Sequence, residues 1–371
     1  MPSPVLEQVP GQQQAITFLV QAAARPHHAY VLAGPEGSGK SLAARAFAAA
    51  LLCPDGGCGA CRACRLALQD HHPNEFIVEP EGRDIHVDTV REEVWHPAHR
   101  TPPEPGRKVF MIREADRLSP AAADTLLKVL EEPPADAVVL LLSARAHELP
   151  DTVLSRCHLV TFSALTEAFV VEALTEEGVE STRARLAARL TGGNMGRARR
   201  LAKDPRGLAF RDAAREAVRL AAEGPAGALA AAEVVLDAAK TYKAGLKGEL
   251  EAELVPFLDE GGRPEDAYRG AIRRIEIRHK RRERRSERDY VDWVLLAVSS
   301  LLRDRIVAAV GGTGEILLNP DLVPDDSLSV PRAAAGLSGV EAARAALAED
   351  FNLNTRLLVE QAFLRLGELA A

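Results

Sequence analysis

The sequence has no stretch approaching the roughly 18 consecutive apolar residues that a membrane-spanning helix needs. From Met1 to Val20 it also lacks a basic start followed by an apolar block, so a secretory leader is not expected and the cytoplasm is the expected compartment. Net positive charge is missing as well: 46 Lys and Arg stand against 53 Asp and Glu, leaving −7 over 371 residues. That balance excludes a protein whose whole surface coats nucleic acid, although it is compatible with a local basic patch. No internal repeat of fixed period is present. What remains is an ordinary globular composition, 47% hydrophobic and 27% charged, in a chain long enough for two or three domains.

Cysteine is scarce, yet four of the five crowd into Cys53-x4-Cys58-x2-Cys61-x2-Cys64. In a reducing compartment such spacing favours a metal site over disulfides, because thiolates at two-residue intervals can converge on one ion. Tetrahedral zinc is the first expectation. An iron–sulfur cluster and unliganded thiols stay open, although the third spacing and trailing Pro of the ferredoxin run are absent. With no catalytic neighbour and four thiolates closing the coordination shell, the site is expected to be structural. Cys157 stands apart and reads as a small core residue. A second concentration lies between Arg273 and Arg288, with nine basic residues against three acidic ones, a local balance of +6. It reads either as a solvated helix face or as a surface for nucleic acid or an acidic partner.

The most specific segment is Gly34-Pro35-Glu36-Gly37-Ser38-Gly39-Lys40-Ser41, which fits G-x-x-x-x-G-K-[ST] at every fixed position. The apolar strand Ala29 to Leu32 precedes it, and a helix through Phe47, Leu51 and Leu52 follows from Ser41. Backbone N–H groups at that helix start would point at phosphates, Lys40 would reach the β- and γ-phosphates, and Ser41 a Mg²⁺.

Strands are expected at Asn74 to Val78, Val109 to Ile112, Ala137 to Leu142 and His158 to Phe162, alternating with helices in a parallel sheet covered on both faces. Asp88 is expected to cap a helix through Val90, Val94 and Trp95. Ser119-Pro120 should start another, with Leu126, Leu127 and Leu130 on one stripe. The domains expected are residues 1–165 (with the cysteine module at 53–64), a small helical unit at 166–203 interrupted at Gly192-Gly193, and an all-α region at 204–371. Within the last, helices fill Leu208 to Asp259, Gly261 to Pro264 breaks them, and an apolar helix covers Tyr290 to Val310. Gly311 to Ser338 is expected to be irregular, and a helix pair to cover Val340 to Leu369.

This combination resembles the AAA+ subunits of the bacterial DNA polymerase III clamp loader over nearly the whole chain. Further matching pieces are Gly11-Gln12, Thr125 to Pro133, Leu154-Ser155-Arg156-Cys157 and Asn354 to Leu357. The resemblance implies an α/β P-loop (RecA-like AAA+) domain with a parallel sheet and a zinc insertion, then a helical lid and an α-helical collar. It also implies ATP or ADP at the loop, and a heteropentamer with gamma/tau and delta subunits that acts on a sliding clamp and primed DNA. Arg156 looks like the family's arginine finger, a guanidinium set against the neighbouring subunit's γ-phosphate to neutralise charge during phosphoryl transfer. A local salt bridge to Asp151 or Glu148 is the alternative for that side chain.

Two departures bear on hydrolysis. Hydrolysing members of the family end the third strand in Asp-Glu, the Asp holding Mg²⁺. Here Arg113 occupies that slot, Glu114 keeps the base position, and Asp116 is expected on the same side of an extended strand as Glu114. An arginine cannot ligate Mg²⁺, so in-cis hydrolysis is expected to be weak or absent unless Arg113 turns away and Asp116 substitutes. At the lid, Gly196 falls where relatives carry a nucleotide-contacting arginine, and Arg197 could replace it only in a shifted register. The pattern is most similar to the family's delta-prime type, a stator donating its arginine in trans. The alternatives are an active gamma/tau-type ATPase and a non-hydrolysing module that binds DNA or a partner through residues 273–288.

Overall fold

The computed structural model describes residues 3–80, 84–203, 209–254, 269–322, 328–349 and 353–367. The chain divides into two compact units. One comprises Met1–Ala173 with Thr191–Arg197, the other Leu174–Leu190 with Ala198–Ala371. The residues read as a helical lid are thus shared between the two.

The first unit is built on five parallel strands, β1 (Ala29–Ala33), β2 (Glu75–Val78), β3 (Lys108–Ile112), β4 (Ala137–Ser143) and β5 (His158–Thr161), in the order β2-β3-β4-β1-β5. The three inner strands are buried along their whole length, as unbroken apolar runs covered on both faces should be. Alternation sends Tyr30, Leu32, Val109 and Met111 to a core shared with Phe47 and Leu19. It sends Val31, Phe110 and Ile112 to the opposite core, shared with Leu126 and Leu130. The chain leaves β1 for β2 and leaves β4 for β5 on the other side of β1. The strand order therefore reverses about β1, and a ligand crevice is expected beyond its carboxyl end.

Helix α1 (Gln13–Ala24) precedes β1, α2 (Lys40–Leu52) follows it, and α3 (Arg62–Leu68) carries the last cysteine of the cluster. The helix expected from Asp88 begins instead at Val87, with His86 as the capping residue and no side-chain cap bond. Asp88 lies inside the first turn, where its charge suits the positive helix end and its carboxylate accepts from Arg91 at 2.9 Å. The segment then widens to a π-helix over Arg91–Trp95. Helix α4 (Pro120–Glu131) starts as expected, with Ser119 Oγ accepting from the Ala122 N–H at 3.3 Å and Pro120 in the first turn. A short helix, α5 (Asp151–Leu154), leads into β5.

Onward from β5 the elements are helical: α6 (Glu167–Glu176), α7 (Ser181–Thr191), α8 (Met195–Lys203), α9 (Ala209–Ala221), α10 (Pro225–Leu254), α11 (Arg269–Ala309), α12 (Val330–Glu349) and α13 (Thr355–Gly367). Val291, Leu295, Val298 and Leu302 of α11 are fully buried, as their helical spacing predicts. The irregular stretch expected up to Ser338 is corrected, because α12 already begins at Val330. Its glycines are packing residues rather than breakers. A Cβ at Gly336 would stand 2.4 Å from a Leu366 methyl carbon, so glycine there allows α13 to approach closely. The expected boundary at Asp204, the break from Gly261 to Pro264 and most side chains of the basic run lie outside the described residues. The backbone of that run belongs to α11. Among the described residues, no helix is long and apolar enough to cross a membrane.

Candidate nucleotide and metal sites

The phosphate loop lies at the carboxyl end of β1, where Gly39 adopts a left-handed conformation (φ 95°) and opens α2 at Lys40. Neighbouring elements hold the loop in place. The Gly34 N–H donates to Ser143 O of β4 at 3.2 Å. The Gln12 amide donates to Ser38 O at 2.9 Å and to Ser163 O, just past β5, at 2.7 Å. Lys40 is only 9% exposed, and its ammonium donates to the loop's own carbonyls, Gly34 O at 2.5 Å and Pro35 O at 2.8 Å. Burial lowers its pKa, while the carboxylates of Glu36 and Asp116 act in the opposite direction. The buried Ser38 hydroxyl has no hydrogen-bond partner among the described residues. A buried ammonium tied only to carbonyls beside an unused hydroxyl suits a phosphate ligand, which would accept from both.

The end of β3 differs from the extended strand expected. The strand stops at Ile112, Glu114 is left-handed (φ 51°), and Ala115–Arg117 forms a 3₁₀ turn. A non-glycine residue in that backbone region is strained, and such strain concentrates at functional sites. Arg113 points into a cluster of its own: its guanidinium donates to Asp70 at 2.7 Å and to Glu79 at 2.5 Å. Its charge is thereby neutralised on the side of β2, which weakens the argument that it repels a metal. Position 113 nevertheless offers no oxygen ligand. Glu114 pairs with Arg117 at 2.9 Å. Asp116, expected beside Glu114, is instead carried by the turn to the end of β4. There its carboxylate, 5% exposed, accepts from Ser143 Oγ at 2.7 Å and from Arg145 at 3.3 Å. Ser143, at the end of β4, is thereby joined to the site.

Within the first unit, the segment Thr191–Arg197 reaches the loop. The Met195 N–H donates to Gly37 O at 3.3 Å, and Arg197 Nη2 pairs with Glu36 Oε2 at 3.2 Å. Asn194 packs so closely that a Cβ at Gly37 (φ 74°) would lie 2.1 Å from its Oδ1. Gly196 itself carries no side chain to the loop, and Arg197 contacts a loop residue despite the shifted register.

Arg156 sits in the turn between α5 and β5, 36% exposed. Its guanidinium donates to Thr152 O at 2.8 Å and pairs with Glu131 at 2.8 Å, not with Asp151 or Glu148. The two motifs Thr125 to Pro133 and Leu154 to Cys157 thus meet through one exposed ion pair. Cys157 is largely buried, which pushes its thiol up to about 12, as befits an inert core residue.

The other four cysteines converge. Their sulfurs all lie within 4.8 Å of one another, with Cys53–Cys61 at 3.6 Å, Cys53–Cys58 at 3.8 Å and Cys58–Cys64 at 4.0 Å. All are free thiols. Zn–S bonds of about 2.3 Å in a tetrahedron give sulfur–sulfur edges of about 3.8 Å, so the set is competent to hold one metal ion. The Cys61 N–H reaches Cys58 Sγ and the Cys64 N–H reaches Cys61 Sγ, both at 3.4 Å, which orients these sulfurs.

Residues 11–166 match the family model described as DNA polymerase III, delta subunit. Over 199 residues the chain is 38% identical to DNA polymerase III subunit delta' of Pseudomonas aeruginosa, covering 51% of this chain and 60% of that protein. Over these residues the chain is similar to DNA polymerase III delta-type subunits. It is also 34% identical over 173 residues to subunit delta' of Bacillus subtilis, covering 45% of this chain and 51% of that protein. It is 32% identical over 171 residues to subunit tau of the same organism, covering 44% of this chain and 30% of that protein. The matches thus span little more than half the length of the delta' relatives. The delta-type family match contains the phosphate loop, the four cysteines, Arg113 and Arg156. Gly196 and Arg197 lie beyond it.

Proposed function

We propose that this chain is the delta-prime, stator-type subunit of a DNA polymerase III clamp loader. It works in the cytoplasm beside gamma/tau and delta subunits in a heteropentamer that loads a sliding clamp onto primed DNA. It holds ATP or ADP in the phosphate loop without turning it over efficiently, and offers Arg156 in trans to a neighbour's nucleotide. The four cysteines carry structural zinc. The observation that carries the reading is position 113: the residue at the strand end offers a guanidinium committed to Asp70 and Glu79 where hydrolysis needs an oxygen ligand for Mg²⁺. The exposure of Arg156 supports its availability to a second chain. The test is nucleotide titration with and without Mg²⁺, together with steady-state turnover by the isolated chain. Binding indifferent to Mg²⁺ with negligible turnover is expected, whereas robust turnover abolished by Lys40→Ala would overturn the proposal.

One observation favours a second reading, an active gamma/tau-type motor. Asp116 is a buried carboxylate joined to Ser143, and its charge acts on Lys40. Turnover lost in Asp116→Asn would decide for that reading.

A further inference from the structure

We infer that Arg197 sets the nucleotide affinity of the phosphate loop indirectly, by neutralising Glu36, rather than by touching the bound phosphates itself. The inference rests on the reading of the loop as a nucleotide site.

Glu36 places a carboxylate inside a loop whose task is to hold anions. That charge has two effects: it attracts the Lys40 ammonium, as the electrostatics of Lys40 record, and it repels an arriving phosphate. Arg197 counters both, because its guanidinium pairs with Glu36 at 3.2 Å. The pairing is positioned by backbone rather than by chance contact of two long side chains. Asn194 Oδ1 accepts from the Arg197 N–H at 3.0 Å and so fixes the first turn of α8. The Met195 N–H donates to Gly37 O, so the same turn is fastened to the residue after Glu36. Glycine at 37 leaves no side chain to hold the two segments apart. Glu36 is 70% exposed and Arg197 32%, so the pair is screened and its effect is modest.

The test uses the full chain and ADP titrated at low salt into wild type, Arg197→Ala, Glu36→Gln, the double variant, and Lys40→Ala as the control for the loop. Arg197→Ala is expected to weaken ADP about two- to fivefold, the range of an exposed ion pair, with the loss shrinking as salt rises. Glu36→Gln in the Arg197→Ala background is expected to restore the affinity, because the charge that needed neutralising is gone. No loss in Arg197→Ala overturns the inference. A loss that Glu36→Gln fails to rescue overturns it too, because Arg197 then contacts the nucleotide directly. If wild type binds no ADP, or Lys40→Ala binds as well as wild type, the nucleotide reading itself fails. Hydrogen exchange of the Met195 amide without nucleotide then judges the latch alone: faster exchange in both single variants supports it, and unchanged exchange overturns it.

Discussion

The Arg113 guanidinium donates to Asp70 Oδ2 at 2.7 Å, and the other oxygen of that carboxylate accepts from Arg45 Nε at 2.9 Å. One side chain, standing just past the cysteine module, therefore joins strand β3 to the phosphate-loop helix α2. Glu79, beyond β2, completes the neutralisation of Arg113. Arg113 thus serves the architecture around the strand end.

Arg113→Ala should destabilise the protein by about 2 kcal/mol, because it takes the cation from the part-buried Glu79 and leaves Asp70 with Arg45 alone. Arg113→Asp should be less stable than alanine, since it adds a negative charge between Asp70 and Glu79. Urea denaturation of the three proteins checks both statements. A change under about 1 kcal/mol for alanine would mean that the cluster relaxes freely.

Glu75 lies beside the same cluster with both carboxylate oxygens buried and unpartnered among the described residues. Burial first, then repulsion by Asp70, pushes it up to about 8 from an ordinary value of 4.5. Between about 4.5 and about 8 the folded protein therefore keeps a proton that the unfolded chain has already released. Stability should fall as pH rises through that window, on the order of 1 kcal/mol per pH unit at most, and level off above it. Glu75→Gln should flatten this dependence and be the more stable form at pH 9. Denaturation curves from pH 5 to 9 measure it, and parallel profiles for the two proteins would exclude Glu75 as the source.

The inner strands were legible because buried parallel strands are short, largely apolar runs with glycine, proline or charge between them. Lys108 shows the limit of that rule. Its charge argues for starting β3 one residue later, yet its ammonium is buried because it donates to Ala98 O at 2.6 Å and Arg100 O at 2.7 Å, backbone acceptors that no side-chain pattern reveals. The phosphate loop was legible for the same local reason as the strands, all its parts being consecutive. What joins distant segments was not. Ser143 meets Asp116 only because a left-handed Glu114 turns the chain, and Arg197 reaches Glu36 only because Asn194 fixes the start of α8. The early start of α12 was hidden by glycines that read as breakers until their packing partner on α13 is known.

The cysteine cluster should carry one zinc ion per chain, found by metal analysis of freshly purified protein. Cys61→Ser removes a thiolate whose sulfur also caps α3, so it should lose the metal and loosen residues 54–70 first. Because Asp70 ends that segment, the loss should propagate to Arg45 and Arg113 and appear as faster hydrogen exchange around Arg45 in α2 and at the end of β3. Metal-free wild type with unchanged exchange would show that the four thiols hold the fold by packing alone.

Arg156→Ala separates a structural from a functional role for the exposed arginine. Its pairing with Glu131 is solvent-screened and worth at most about 1 kcal/mol, so the isolated variant should keep its fold and nearly its melting temperature. In a complex reconstituted with gamma/tau-type and delta subunits, the same variant should lower DNA-stimulated ATP turnover at least tenfold per site served, in line with the roughly 10³ or more attributed to such arginines elsewhere. Arg156→Lys should not rescue turnover, because a point charge cannot reproduce the planar fork that engages two phosphate oxygens. Glu131→Gln frees the guanidinium and should leave turnover intact or raise it. A complex that fails to assemble with Arg156→Ala, or turnover that lysine restores in full, would assign the side chain to the interface rather than to the neighbour's phosphate.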